Sequence, residues 1–212
     1  MRAIWLGSFL TDTIYLTAGA WTSRFVGSPL QRAMARRRYG RLAARYDADV
    51  VPQAGYFHAL DAALARLPEA PSLVLDVSTG TGAAMGLLVQ RFPGCRGVAV
   101  DLAPAMLQHA VRRARGERWP VAFAVADAAR LPFRDGTFDL VTVQNAFPVP
   151  RELVRVTRPG GWVVLSYSAG GPVVPWVARA LARRLWRLGC ATVETHPAGT
   201  GRYFLARRAQ VA

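Results

Sequence analysis

Short apolar runs alternate with amphipathic stretches along the chain after residue 71. The apolar runs have the length of strands, and the amphipathic stretches follow the helical period. The sequence predicts strands over residues 72–77, 97–101, 121–125, 138–143, 161–167, 191–195 and 202–206. It predicts helices over residues 82–92, 104–115, 151–156 and 172–188. This alternation indicates an α/β fold on a parallel sheet, and the turn residues between the last two strands predict a closing strand pair.

The first 70 residues are predicted to be helical. Helices are expected over residues 2–21, 28–46 and 52–67, and Ser28-Pro29 is a typical start for the second of them. We therefore divide the chain into a helical lid or substrate-access segment, residues 1–70, and a ligand-binding domain, residues 71–212. The apolar stretch at residues 4–21 is expected to be a lid helix. A secretion signal and a helix lying on a membrane surface remain alternatives for it.

The charge of the chain is strongly one-sided. It has 27 basic residues, all of them arginine, against 13 acidic residues, which gives a formal net charge of +14. Such a surface favours a polyanion, an acidic substrate or an anionic membrane, although a solvated basic surface needs no partner. Cys95 and Cys190 are too few for a disulfide framework and lack metal-ligand spacing. We therefore expect no metal site and a cytoplasmic location.

A glycine-rich turn follows the first predicted strand. Residues 74–82 read Val-Leu-Asp-Val-Ser-Thr-Gly-Thr-Gly, an apolar strand that runs into an acid and then into a helix. Glycine lets the backbone turn sharply and approach a ligand closely. The turn lies at the carboxyl end of a strand, which is where open α/β sheets bind their ligands.

An acidic residue marks the end of each of the first three strands: Asp76, Asp101 and Asp127. Asp101 is where a ribose diol is expected, since a carboxylate can accept hydrogen bonds from two vicinal hydroxyls. Asp127 can accept a hydrogen bond from an adenine amino group. Because the three strand ends share one edge of the sheet, these carboxylates together predict a site for an adenosine.

The glycine spacing argues against a dinucleotide. After Gly80 and Gly82, the pattern G-x-G-x-x-G needs a third glycine at residue 85, but the next glycine is Gly86. Asp76 would also repel a pyrophosphate, whereas it suits a ligand with an amino group or a sulfonium. These features favour S-adenosylmethionine over NAD.

Taken together, these motifs resemble those of class I S-adenosylmethionine-dependent methyltransferases, in particular the branch of ubiquinone and menaquinone biosynthesis. Five segments match in order: residues 76–82, 100–107, 127–133, 138–141 and 153–161. The first is similar to the family's Asp-Val-Ala-Thr-Gly-Thr-Gly turn, the third to its Asp-Ala-x-x-Leu-Pro-Phe segment, and the last to its Leu-x-Pro-Gly-Gly turn. Residues 39–47 are also similar to a segment that closes over the cofactor in these enzymes, with Tyr46 as the lid residue.

The resemblance implies a Rossmann-like, doubly wound sheet of order 3-2-1-4-5-7-6, mostly parallel with an antiparallel last strand, and a helical N-terminal lid. It implies S-adenosylmethionine as cofactor and methyl transfer to a small, lipophilic acceptor such as a quinone. Residues 71–212 are then the cofactor-binding methyltransferase domain. The residues that the motifs and the resemblance assign to the cofactor are Tyr46, Asp76, Ser78, Thr79, Gly80, Gly82, Asp101, Leu102, Met106, Asp127, Ala128 and Gln144.

Departures from the family pattern leave the acceptor open. Ser78 stands where many members have glycine, and residues 144–148 lack the frequent Leu-His-His sequence. Methyl transfer depends mainly on alignment, so no catalytic residue is assigned. His58 is a candidate general base, with a packed histidine as the alternative.

Other functions remain as alternatives. The positive charge favours an RNA methyltransferase, but residues 145–148 are not the Asn-Pro-Pro-aromatic motif of base methylation, so no nucleic-acid partner is expected. A non-catalytic binding protein on the same fold and an NAD-dependent oxidoreductase are further alternatives.

The arginine-rich side of the helix at residues 172–188 and the apolar N-terminus could contact an anionic membrane. Both a monomer and a homodimer fit the sequence.

Overall fold

A single mixed sheet organises the chain. The computed structural model describes residues 28–52, 54–168 and 175–210. The strands are β1 (Leu73–Val77), β2 (Arg96–Asp101), β3 (Val121–Val125), β4 (Phe138–Gln144), β5 (Thr157–Tyr167), β6 (Cys190–Ala198) and β7 (Gly201–Arg208). The described helices are α1 (Pro29–Asp49), α2 (His58–Leu64), α3 (Ala83–Arg91), α4 (Pro104–Glu117), α5 (Pro150–Val156) and α6 (Pro175–Arg187). The expected helix at residues 2–21 and the first residues of the helix expected at 172–188 lie outside the described residues.

The strand order is β3-β2-β1-β4-β5-β7-β6, as the resemblance implies. The first five strands are parallel, and β7 runs antiparallel to both of its neighbours. β1 lies between β2 and β4, with Val77 in register with Val100 and Asp76 with Thr142. The carboxyl ends of β1 to β4 therefore meet at one edge of the sheet.

Both faces of the sheet are covered. One core cluster joins Leu60 of α2 and Leu88 of α3 to strand residues such as Val74. The other joins Leu153 of α5 and Leu181 of α6 to the opposite face. The strands β1 and β4 are buried along nearly their whole length, which is why most of their residues are apolar and do not alternate with exposed polar ones. Because both faces are covered, a ligand site is expected in the loops at the carboxyl ends of the strands.

The helix α1 begins as its sequence predicts. The Ser28 hydroxyl accepts a hydrogen bond from the Gln31 backbone N–H at 3.2 Å, and Pro29 occupies the first turn. Ala43 packs with Ala103 and Met106 at the start of α4. This contact seats α1 against the edge of the sheet where the acidic residues lie.

The helix predicted over residues 52–67 is wrong in its extent. Among the described residues of this stretch, only His58–Leu64 is helical, and residues 50–52 and 54–57 form turns. Gly55 has a φ of +82°, a left-handed conformation that interrupts a right-handed helix. α2 buries Ala59, Leu60, Ala63 and Leu64. The apolar pattern therefore indicates the buried face of this helix but not its length.

Three strands extend beyond their predicted bounds by more than one residue at an end, and β2 and β4 do so by a single residue. β5 begins at Thr157 instead of residue 161, with a register shift opposite Phe138–Leu140 of β4. β6 and β7 pair over eight positions, from Cys190 opposite Arg208 to Ala198 opposite Gly201.

None of the helices in the described parts of the chain is long and apolar enough to cross a bilayer.

Candidate functional site

Asp76 lies on β1 and is 1% exposed. Its Oδ1 accepts a hydrogen bond of 2.9 Å from the Thr142 hydroxyl, which strand pairing places beside it. Its Oδ2 is buried and has no hydrogen-bond partner among the described residues. Burial raises the pKa of the Asp76 carboxyl to about 6. The group is therefore a buried acid with one oxygen free to bind a donor.

The turn after β1 is built from left-handed residues. Ser78, Gly80 and Gly82 have φ values of 59°, 58° and 80°. A Cβ atom on Gly80 would meet no atom within 4 Å, whereas one on Gly82 would lie 3.1 Å from the Cβ of Ala110 on α4. Gly80 thus borders open space at the turn, and Gly82 lets two helices pack closely.

Asp101, the last residue of β2, joins two of the loops at this edge. Its Oδ2 accepts a hydrogen bond from the Gly80 N–H at 2.9 Å, and its Oδ1 accepts one from the Ala103 N–H at 2.8 Å. Burial raises the pKa of the Asp101 carboxyl, and these backbone donors oppose that effect. Each oxygen keeps a lone pair for a further donor, so hydroxyl groups could still bind there.

Asp127 follows β3 and is held from two sides. Its Oδ2 accepts a hydrogen bond from Arg32 Nη1 on α1 at 2.5 Å, and its Oδ1 accepts one from the Ala129 N–H at 2.9 Å. Ala128 packs against the core cluster of α5 and α6. The N-terminal helix therefore reaches across the edge of the sheet to the third acid.

Two tyrosines close the cleft between α1 and the turn after β1. The hydroxyl oxygens of Tyr46 and Tyr56 lie 3.4 Å apart. Burial raises the pKa of both hydroxyls. Gln144 at the end of β4 donates from Nε2 to the Tyr56 carbonyl at 2.8 Å, while its Oε1 has no partner among the described residues. Along this wall of the cleft, hydrogen bonds therefore connect α1 to β4 through Tyr56, which lies in the turn before α2.

The cleft has a free volume of about 30 Å³. Its lining residues are Tyr46, Tyr56, Asp76, Ser78, Thr79, Gly80, Thr81, Ala83, Ala84 and Gln144. Six of the twelve residues assigned from sequence are in this set. The other six do not line it: Gly82, Asp101, Leu102, Met106, Asp127 and Ala128. A volume of this size holds roughly one water molecule, so a larger ligand needs the lining residues to rearrange.

Sequence reasoning missed Asp47. Its carboxylate accepts hydrogen bonds from the Thr81 hydroxyl and from Arg113 Nη2, both at 2.5 Å. These contacts fasten the end of α1 to the turn after β1 and to α4. The sequence feature that could have identified Asp47 is its charge, because acids are rare on this helix, which has six arginines. Tyr56 was also missed, because the sequence predicts a helix around it, whereas residue 56 lies in a turn that brings it to the cleft.

The histidines lie away from the cleft lining. His58 begins α2, where its Nδ1 would be 3.0 Å from a Cβ on Gly199, so it packs against the turn between β6 and β7. His196 lies in β6, hydrogen-bonded to Glu194 at 2.9 Å and stacked on Tyr203. No group of three or more potential metal ligands occurs among the described residues.

Residues 74–161 match the family described as Methyltransferase domain. The chain is 42% identical to a demethylmenaquinone methyltransferase of Thermus thermophilus over 106 residues, 47% of this chain and 48% of that protein. It is 39% identical to a malonyl-[acyl-carrier protein] O-methyltransferase of Halorhodospira halophila over 144 residues, 65% of this chain and 48% of that protein. The chain thus spans about half the length of these relatives.

A solved structure with the same fold is phosphoethanolamine N-methyltransferase 2 of Haemonchus contortus in complex with S-adenosyl-L-methionine. Its TM-score is 0.63 at 15% identity, and the match covers 81% of this chain and 57% of that one. The family match agrees with the resemblance drawn from the motifs, and the shared fold agrees with the architecture that the resemblance implies.

Proposed function

We propose that this chain, which carries a class I S-adenosylmethionine-dependent methyltransferase domain, transfers the methyl group of that cofactor to a small, lipophilic acceptor. The observation that carries the proposal is the unpartnered, buried Oδ2 of Asp76 in the cleft lining. A buried carboxylate oxygen without a donor is costly, and an ammonium or sulfonium ligand relieves that cost. S-adenosylmethionine has both groups.

The other residues fit the rest of such a ligand. Open space at Gly80 allows a ligand to approach the backbone of the turn. In this proposal Asp101 accepts hydrogen bonds from the ribose hydroxyls, and Asp127 accepts one from the adenine amino group, each with its remaining lone pairs. Leu102, Met106 and Ala128 then supply the apolar surroundings of the base. Residues 1–70 act as the lid and residues 71–212 as the catalytic domain.

When bound, S-adenosylmethionine supplies an electrophilic methyl carbon with a good leaving group. The protein's contribution is then to align the acceptor and exclude water. Tyr46 and Tyr56 close the cleft from the side of α1, and both hydroxyls are protonated at neutral pH, as a tyrosine with its ordinary pKa of about 10 already is. Protonated hydroxyls can orient an acceptor oxygen by hydrogen bonding without taking its proton.

The acceptor is proposed to be quinone-like, on the support of the relatives that methylate demethylmenaquinone. The free carboxylate of a malonyl thioester is the second candidate acceptor, because other relatives at similar identity are malonyl-[acyl-carrier protein] O-methyltransferases. We assign the reaction to the cytoplasm, in keeping with two buried, free cysteines.

An acceptor assay tests this proposal. The protein is incubated with S-adenosylmethionine and one of three acceptors, a demethylmenaquinol analogue, a malonyl thioester or RNA, and S-adenosylhomocysteine is quantified. Formation of S-adenosylhomocysteine that depends on one acceptor and is lost in Asp101→Asn supports the proposal and names the acceptor class. Turnover only with RNA would replace it with the nucleic-acid alternative. Tight cofactor binding without turnover on any acceptor would favour the non-catalytic alternative.

A further inference from the structure

One face of α6 combines exposed tryptophans with arginines. Trp176, Arg179, Arg183 and Trp186 are separated by three, four and three residues, so they lie on one side of the helix. Trp176 is 54% exposed and Trp186 is 66% exposed. Among the described residues only five large apolar side chains are exposed, and two of them are these tryptophans. We call this side of α6 the Trp–Arg face.

The orientation of α6 is fixed by its opposite side. Val177, Leu181 and Leu185 are each no more than 1% exposed and belong to the core cluster beneath the sheet. Burying three aliphatic side chains holds the helix against rotation. The Trp–Arg face is therefore turned outward as a consequence of core packing.

The charge of this face has one sign. Arg179, Arg183, Arg184 and Arg187 are all exposed, and α6 contains no acidic residue. None of these four guanidinium groups forms an ion pair with another residue in the described parts of the chain. Arginines elsewhere, such as Arg113 and Arg155, are paired with acids of the protein. The positive charge on α6 is thus available to an external anion.

We propose that the Trp–Arg face of α6 docks on an anionic lipid bilayer. Trp176 and Trp186 stand about 15 Å apart along the helix, so a helix lying flat on the surface brings both indoles to the same depth. Indole rings favour the headgroup level of a bilayer, and guanidinium groups between them bind lipid phosphates. The inference concerns binding alone and stands whether or not the chain transfers a methyl group.

Vesicle flotation of the full chain tests the inference. Vesicles of phosphatidylcholine are compared with vesicles of equal parts phosphatidylcholine and phosphatidylglycerol. We expect binding to the anionic vesicles, weakened by added salt, and little binding to the neutral ones. Arg179→Gln with Arg183→Gln should lower the partition coefficient roughly 30-fold, from the usual contribution of two basic residues near such a surface. Trp176→Ala with Trp186→Ala should lower it roughly tenfold.

The matched control removes the same charge elsewhere. Arg112 and Arg115 are exposed on α4, and Arg112→Gln with Arg115→Gln should change vesicle binding less than about twofold. All of these side chains are exposed, so the variants should keep the wild-type melting temperature. An equal loss of binding in the control would overturn the inference in favour of net charge alone. Binding to polyuridylate RNA but not to anionic vesicles would overturn it in favour of a nucleic-acid surface.

Discussion

Arg32 and Asp127 are 95 positions apart in the chain, yet Nη1 of the arginine lies 2.5 Å from Oδ2 of the aspartate. The pair joins the first turns of α1 to the loop after β3. At the other end of α1, Asp47 pairs with Arg113 at 2.5 Å. The N-terminal helix is therefore fastened at both ends to elements that carry the candidate cofactor residues.

The Arg32–Asp127 pair should hold the start of α1 in place. Both side chains are partly exposed, at 36% and 23%, so the pair is worth about 1 kcal/mol or less. We expect Arg32→Ala to lower the melting temperature slightly and to speed amide hydrogen exchange in the first half of α1. The control is Arg45→Ala, which breaks an exposed pair with Asp49 on the same helix. Equal exchange in both variants would show that the pair does not fasten the helix.

Cofactor binding should depend on the ionisation of Asp76. Its pKa is raised to about 6, and a cationic ligand prefers the charged carboxylate. We expect the affinity for S-adenosylmethionine to be full above that pH and to fall as the pH drops through about 6. Asp76→Asn should weaken binding roughly tenfold to a hundredfold and remove this pH dependence. Calorimetric titrations of both proteins across this pH range provide the check, and a parallel pH profile in the variant would argue against the role of Asp76.

The same carboxyl should lower the stability of the free protein at neutral pH. Its pKa in the folded state, about 6, lies above the ordinary value of 3.8 for this side chain, so folding favours the protonated form. The stability it contributes is fully present below pH 3.8 and is lost as the pH rises through about 6. Asp76→Asn should therefore stabilise the free protein at neutral pH by up to about 3 kcal/mol. Urea unfolding at acidic and neutral pH measures this, and a variant less stable than wild type at neutral pH would contradict it.

The two glycines of the turn should respond differently to alanine. Both have a left-handed φ, which costs a non-glycine residue roughly 1–2 kcal/mol. Gly80→Ala adds a methyl group into open space at the cleft, so we expect cofactor affinity to fall roughly tenfold with a modest loss of stability. Gly82→Ala also crowds Ala110, so it should be less stable than Gly80→Ala by a further 1 kcal/mol or so. Thermal melts and calorimetry on the pair distinguish the two effects.

The sheet could be predicted from sequence because its determinants are local. Apolar runs that end in Asp76 or Asp101 mark strands, and the glycine-rich turn marks the first crossover. The strand order, which the family resemblance implies and the local pattern does not, is confirmed. Bounds were less accurate where backbone conformation decides them, as at Gly55, where a left-handed residue delays α2. The turn glycines and three acids were found for the same local reason, although their binding roles remain predictions.

The contacts of α1 could not be predicted from sequence. Arg32 is one of six arginines on that helix, and nothing in its local pattern distinguishes it from Arg36 or Arg41. Arg32 meets Asp127 because long-range contacts align the helix, among them the packing of Ala43 with Met106. Tyr56 likewise reaches the cleft through a turn that a helical pattern hides.

The most direct test of the central claim is calorimetric titration with S-adenosylmethionine. Asp101→Asn removes the carboxylate that joins the turns after β1 and β2, and Asp61→Asn, on the exposed side of α2, is the matched control. We expect wild type and Asp61→Asn to bind with a roughly micromolar Kd, and Asp101→Asn to bind at least about tenfold more weakly. Folded wild-type protein that does not bind S-adenosylmethionine, or equal binding by all three proteins, would contradict the account.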